Sequence, residues 1–158
     1  MQANKILVPV SGEASDNEAL SLACEMTRGT KGKVYVLYVI EVERALPLDA
    51  ETGEAIDKGE EVLQRMERLG KSFHGRIQAE ILRARDAGPA VVQEAEERGV
   101  DVIVMAMPYK KHHGVFSLGQ TVPYILKNAS CPVLLWRNPA SANGTEETTD
   151  THRQRDAS

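Results

Sequence analysis

Five short runs rich in β-branched and aliphatic residues, each separated from the next by enough chain for a helix, limit what this sequence can fold into more than any single motif does. They are Lys5–Val10 (KILVPV), Lys33–Ile40 (KVYVLYVI), the weaker Arg76–Ala84, Asp101–Met107 (DVIVMAM) and Pro132–Trp136 (PVLLW). The first is almost continuously apolar, the pattern of a strand covered on both faces, and it stops at Ser11-Gly12. From Ser15 the period changes: Ala19, Leu22, Ala23 and Met26 form one stripe, Asp16, Glu18 and Glu25 lie off it, and Gly29 marks the end. Glu41–Ala55, with Pro47 and Gly53, reads as a loop, followed by a helix over about Ile56–Phe73 with Val62, Met66 and Leu69 on its apolar side. Ala90–Arg98 reads as a third helix, with Pro89 near its first turn and Gly99 past its end, and Thr121–Asn128 as a fourth. Strands alternating with helix-length crossovers specify an α/β sandwich with a parallel sheet and helices on both faces.

With 158 residues the chain suits one domain. Residues 1–137 are expected to form it. Residues 138–158 carry no large apolar side chain and hold four acidic residues against two basic ones, so a disordered polar tail is expected there. The net charge of -4 and pI of about 5.6 argue against a phosphate-backbone binder, which needs a basic face, so nucleic acid is not an expected partner. No apolar run reaches the roughly 18 residues that span a bilayer, and MQANKILVPV lacks a signal peptide's basic start and cleavage site. Membrane insertion is not expected, and a cytoplasmic location is. Cys24 and Cys131 have no CxxC or Cys/His spacing, so both are expected as reduced, buried, small apolar residues.

Ligands of open parallel sheets bind beyond the carboxyl ends of the strands, where the crossover direction reverses. The segment MPYKKHHGVFSLGQT leads from the fourth strand into the last helix. Gly119-Gln120-Thr121 would offer free N–H groups and a hydroxyl to a phosphate there; equally, Gly119 can be a turn and Thr121 a helix cap. Lys110, Lys111, His112 and His113 are either a solvated loop or, through the lysines, a countercharge for phosphate. Adjacent histidines without carboxylate or cysteine do not suit a metal. No nucleophile elbow, HExxH or Walker lysine is present, and no catalytic group is assigned. Glu41 and Glu43 follow the second strand and could reach the cleft, but paired acids there read rather as a solvated loop, and Pro123 and Tyr124 read as packing of the helix start.

The segments KILVPVSGEASDNEAL, YVLYVIEV, GVDVIVMAM and LGQTVPYILKNASCPVLLWR resemble the universal stress protein family over residues 3–137. The resemblance implies a Rossmann-like, adenine-nucleotide α-hydrolase-like sandwich with strand order 3-2-1-4-5 and a homodimer joined through Pro132–Trp136. It also implies, in one branch, ATP at the switch between strands one and four. That branch carries glycine, two residues, glycine, nine residues, then glycine with serine or threonine. Here Ala106 and Tyr109 fall at the first two glycine positions, Gln120 follows Gly119, and Ser11 stands where the family usually has aspartate. The implied nucleotide site takes Pro9, Val10 and Ser11 from the first strand's end, Val39 from the second and Met105 and Ala106 from the fourth. Tyr109, Lys110 and Lys111 come from the following loop, and Gly119, Gln120 and Thr121 from the helix start. The leading expectation is a non-enzymatic regulatory protein binding an adenine nucleotide, ATP or AMP, in a modified cleft. The alternatives are a cyclic di-AMP sensor, with Tyr109 stacking on a base, and a ligand-free dimeric module for a protein partner. Resemblance alone makes a transporter one such partner. An ATPase has the least support.

Overall fold

The computed structural model describes residues 2–50, 53–109, 111–112 and 115–140, with backbone only at 111–112 and 115–116. Lys110, His113 and most of the expected tail, residues 141–158, lie outside the described residues. The elements are β1 (Lys5–Val10), α1 (Asp16–Thr27), β2 (Lys33–Glu41), α2 (Gly53–Ser72), β3 (Ile77–Ala84), α3 (Ala87–Arg98), β4 (Val102–Met107), β5 (Lys111–His112), β6 (Val115–Phe116), α4 (Thr121–Asn128) and β7 (Val133–Arg137). Five strands form a parallel sheet in the order β3-β2-β1-β4-β7, the implied order with β7 as its fifth strand.

Alternation along each strand divides the core in two. Ile6 and Val8 of β1, with Val34 and Val36 of β2 and Val102 and Val104 of β4, pack against α1 and α2 through Leu20, Ala23, Val62 and Met66. Leu7, Leu37, Ile103 and Met105 point the other way, against Val91 and Ala95 of α3 and Ile125 of α4. Both faces of β1 are therefore dry, as its continuous apolar run requires.

Four local expectations are corrected. α2 begins at Gly53 rather than near Ile56, because glycine is tolerated at a helix start and Glu54 in the first turn complements the dipole. α3 begins at Ala87 rather than Ala90: Asp86 is the extended residue before it, and Pro89 in the first turn forfeits no intrahelical bond. Asp16, placed off the apolar stripe of α1, is 2% exposed. Cys131 is half-buried, whereas Cys24 is buried and its thiol is pushed up to about 11 by desolvation. The basic loop also contains a two-stranded antiparallel piece, β5 with β6, too short to leave a periodic signal.

Pro9 shapes the carboxyl end of the sheet. The Lys5 carbonyl accepts from Asp101 N–H and the Asn4 carbonyl from Lys33 N–H, so odd-numbered residues of β1 face β4 and even-numbered ones face β2. Position 9 thus faces β4, and proline has no N–H to give. The β1–β2 ladder continues to Val10 opposite Tyr38, whereas β1 and β4 are paired only at Ile6 with Val102 and Leu7 with Ile103. Beyond Leu7 the two central strands part.

Candidate functional site

The parting of β1 from β4 opens a cleft of about 570 Å³ at the switch point, within the roughly 300–1,000 Å³ usual for small-molecule sites. Pro9, Val10 and Ser11 form one wall, Val39 lies beside them, and Met105 and Ala106 stand across from them. Gly119 and Thr121 close the cleft from the start of α4. The cleft thus unites eight of the residues assigned from sequence. Gln120 and Tyr109 are not in its lining; the Tyr109 ring lies against the Arg137 guanidinium, 4.9 Å from ring centre to carbon. Lys111 is described in backbone only, so its side chain and all of Lys110 stand outside this geometry.

Gly119 has φ of +70°, a conformation that L side chains rarely adopt, and its N–H bonds Ser117 Oγ at 3.1 Å. This turn aims the chain into α4, where the N–H groups of Thr121 and Val122 have no intrahelical acceptor by virtue of their position. Behind the helix start, Tyr124 packs on α3: a Cβ at Gly88 would sit 2.9 Å from its ring. The packing role expected of Tyr124 is the observed one.

The loop after β1 is held from beneath. Asp16 accepts N–H bonds from Gly12 at 2.8 Å and from Ser11 at 3.3 Å, and Arg65 of α2 lies 3.8 Å from the same carboxylate while reaching the Glu13 carbonyl. Burial raises the Asp16 pKa, opposed by those two N–H bonds and by Arg65. Periodicity missed this residue because a helical acid off the apolar stripe reads as solvent-facing; its place in the first turn, close after a Ser-Gly loop, was the available signal. Glu41 is exposed, as the solvated reading has it, and it also lines the cleft and accepts the Ala87 N–H at 3.1 Å, meeting an orphaned donor of α3, while the Glu43 carbonyl accepts from Arg85 and from the Leu46 N–H.

Among the described residues the cleft lining is mainly aliphatic, with two carboxylates, Glu13 and Glu41, and no lysine or arginine. No group of three or more His, Cys, Asp or Glu residues that could hold a metal occurs among the described residues. No helix there is long and apolar enough to cross a membrane.

A doubly wound parallel sheet with a switch-point cleft and a glycine-led helix start defines the Rossmann-like class of α/β folds. The chain belongs to the universal stress protein family, whose model matches residues 3–137. It is 30% identical over 141 residues to the universal stress protein MJ0531 of Methanocaldococcus jannaschii, covering 85% of this chain and 82% of that one. Among solved structures, the universal stress protein from Archaeoglobus fulgidus superposes with a TM-score of 0.71 at 20% identity over 83% of this chain and 96% of its own. The universal stress protein from Archaeoglobus fulgidus in complex with dAMP gives 0.68 at 19%, over 85% and 98%. A family protein from Arabidopsis thaliana with AMP bound gives 0.65 at 20%, over 92% and 98%. These three likenesses are likenesses of fold.

Proposed function

We propose that this protein is a non-enzymatic, nucleotide-responsive member of the family that binds an adenine nucleotide, AMP before ATP, in the switch-point cleft. The observation that carries the reading is the cleft itself, open between β1 and β4 and ending on the donor-rich start of α4. The relatives bound to dAMP and AMP support a nucleotide with one phosphate. So do the two carboxylates of the described lining, Glu13 and Glu41, which oppose the higher charge of a triphosphate. In this reading the base lies near Val10, Ser11 and Val39, and the phosphate at Gly119–Thr121 with Lys110 or Lys111 as countercharge. The bound state is passed on by a cytoplasmic homodimer joined along β7 to a protein partner.

Calorimetric titration with AMP, ATP and cyclic di-AMP tests this. Saturable AMP binding is expected, with at least about a tenfold loss in Gly119→Val, whose side chain enters the phosphate's approach. A lack of saturable binding by all three ligands overturns the proposal and leaves the ligand-free module.

A further inference from the structure

A second concavity lies at the opposite pole of the sheet, before the amino ends of β2 and β3, where α1 and α2 end. Its volume is about 220 Å³. Arg28, Lys31, His74 and Arg76 line it over a floor that includes Cys24 and Thr27, and no carboxylate does. Basic residues often gather at helix carboxyl ends to answer the dipole and the orphaned carbonyls. Here most of that work is done by other groups. Thr27 Oγ1 donates to the Ala23 and Cys24 carbonyls, and Arg28 N–H to Glu25. At the end of α2, the N–H groups of Phe73, His74 and Gly75 and the Ser72 hydroxyl take the carbonyls of Leu69, Gly70 and Lys71. Of the four basic side chains only Arg76 makes a described hydrogen bond, a long one of 3.5 Å to the Lys31 carbonyl.

The backbone adds an independent observation. Among the described residues, the non-glycine residues with positive φ are Lys31, at 56°, and His74, at 58°, and both line this concavity. Both occupy turns where glycine would carry no strain, and His74 follows directly on the last turn of α2. The two left-handed turns bring both basic residues to the same concavity.

We propose that this concavity is a second ligand site, for the phosphate group of a small solute, free or esterified, and separate from the switch-point cleft. Four basic side chains lining one concavity that has no carboxylate in its lining supply the recognition, and the long, exposed Arg28 and Lys31 close on the phosphate oxygens.

The test is an amide chemical-shift titration of the labelled full chain at constant pH and ionic strength, with inorganic phosphate and, in parallel, glycerol 3-phosphate. Saturable shifts at Thr30–Gly32 and His74–Arg76 with either probe support the site, and the stronger probe tells free phosphate from ester. Arg28→Ala is expected to weaken binding about fivefold. Lys31→Gly is expected to weaken it similarly while raising the melting temperature, because glycine relieves the positive φ; a purely structural lysine would show no loss of binding. Shifts that do not saturate, shifts reproduced by chloride, or affinities unchanged in both variants overturn the proposal.

Discussion

Replacing Asp16 tests whether the floor of the cleft is held as described. In the parent, the 2.8 Å bond from Gly12 N–H is charge-assisted and contributes about 1.5–3 kcal/mol. The 3.3 Å bond from Ser11 adds about 0.5–1 kcal/mol, and the 3.8 Å pair with Arg65, whose side chain is 37% exposed, less than about 1 kcal/mol. Against these stands the cost of keeping a carboxylate buried, the largest cause of its raised pKa. The balance for Asp16→Ala is a loss of about 2 kcal/mol, and for Asp16→Asn, which keeps one acceptor oxygen, about 1 kcal/mol. In urea unfolding at neutral pH, Asp16→Ala should lower the midpoint by about 1 M, given a slope near 2 kcal/mol/M. The dependence on pH has a definite sign. A carboxyl whose pKa is raised by folding favours the folded state most below its ordinary value of 3.8, and that contribution declines as pH rises through the raised value. The deficit of Asp16→Asn against the parent should therefore be largest in acid and shrink as pH rises across that window. A midpoint for Asp16→Ala within about 0.2 M of the parent, or an Asn deficit that grows as pH rises, would refute the reasoning.

Three other perturbations follow from the packing. Arg98 bonds Glu80 and Glu94 and lies 4.5 Å over the Tyr35 ring, and its guanidinium holds the Glu80 carboxyl below 4.5. That carboxylate's contribution is present above 4.5 and lost as pH falls through its lowered value, so the melting-temperature difference between parent and Arg98→Leu should narrow in acid and stay constant near neutrality. A Cβ at Gly70 would sit 2.2 Å from Ile77 Cγ1, so Gly70→Ala should cost about 1–3 kcal/mol in denaturant unfolding. Trp136→Glu places a charge on the edge strand β7 and should shift a dimer toward monomer in sedimentation; a parent already monomeric at micromolar concentration removes the proposed interface.

What the sequence disclosed depended on how far apart the interacting residues are. Strand runs and amphipathic stripes are local, and the order of elements, the limits of β1 and α4 and the place of the cleft followed from them. The starts of α2 and α3 lie a few residues before the first apolar-periodic positions, since Gly53-Glu54 and Ala87-Gly88-Pro89 carry no helical stripe although a first turn tolerates glycine and proline. The site was legible where it consists of strand ends and the Gly119 turn. It was illegible where a side chain's role is set by a distant partner: Glu41 bonds Ala87, Tyr109 meets Arg137, and Arg65 reaches from α2 to the loop after β1. Asp16 lies between these cases, since its partners are near in sequence but its burial depends on α2.

The unfinished ladder between β1 and β4 makes the sheet two rafts, β3-β2-β1 and β4-β7, tied at their amino ends by two residue pairs and free at the other. A molecule seated between Val10 and Ala106 would act as a stitch where the backbone supplies none. Occupancy would then be felt as stiffness across the whole sheet, out to the edge strands β3 and β7, with no loop required to move. In such a tweezer the missing N–H of a single proline is the hinge's clearance, and the outer strands are the handles by which another molecule could sense whether the jaws are filled.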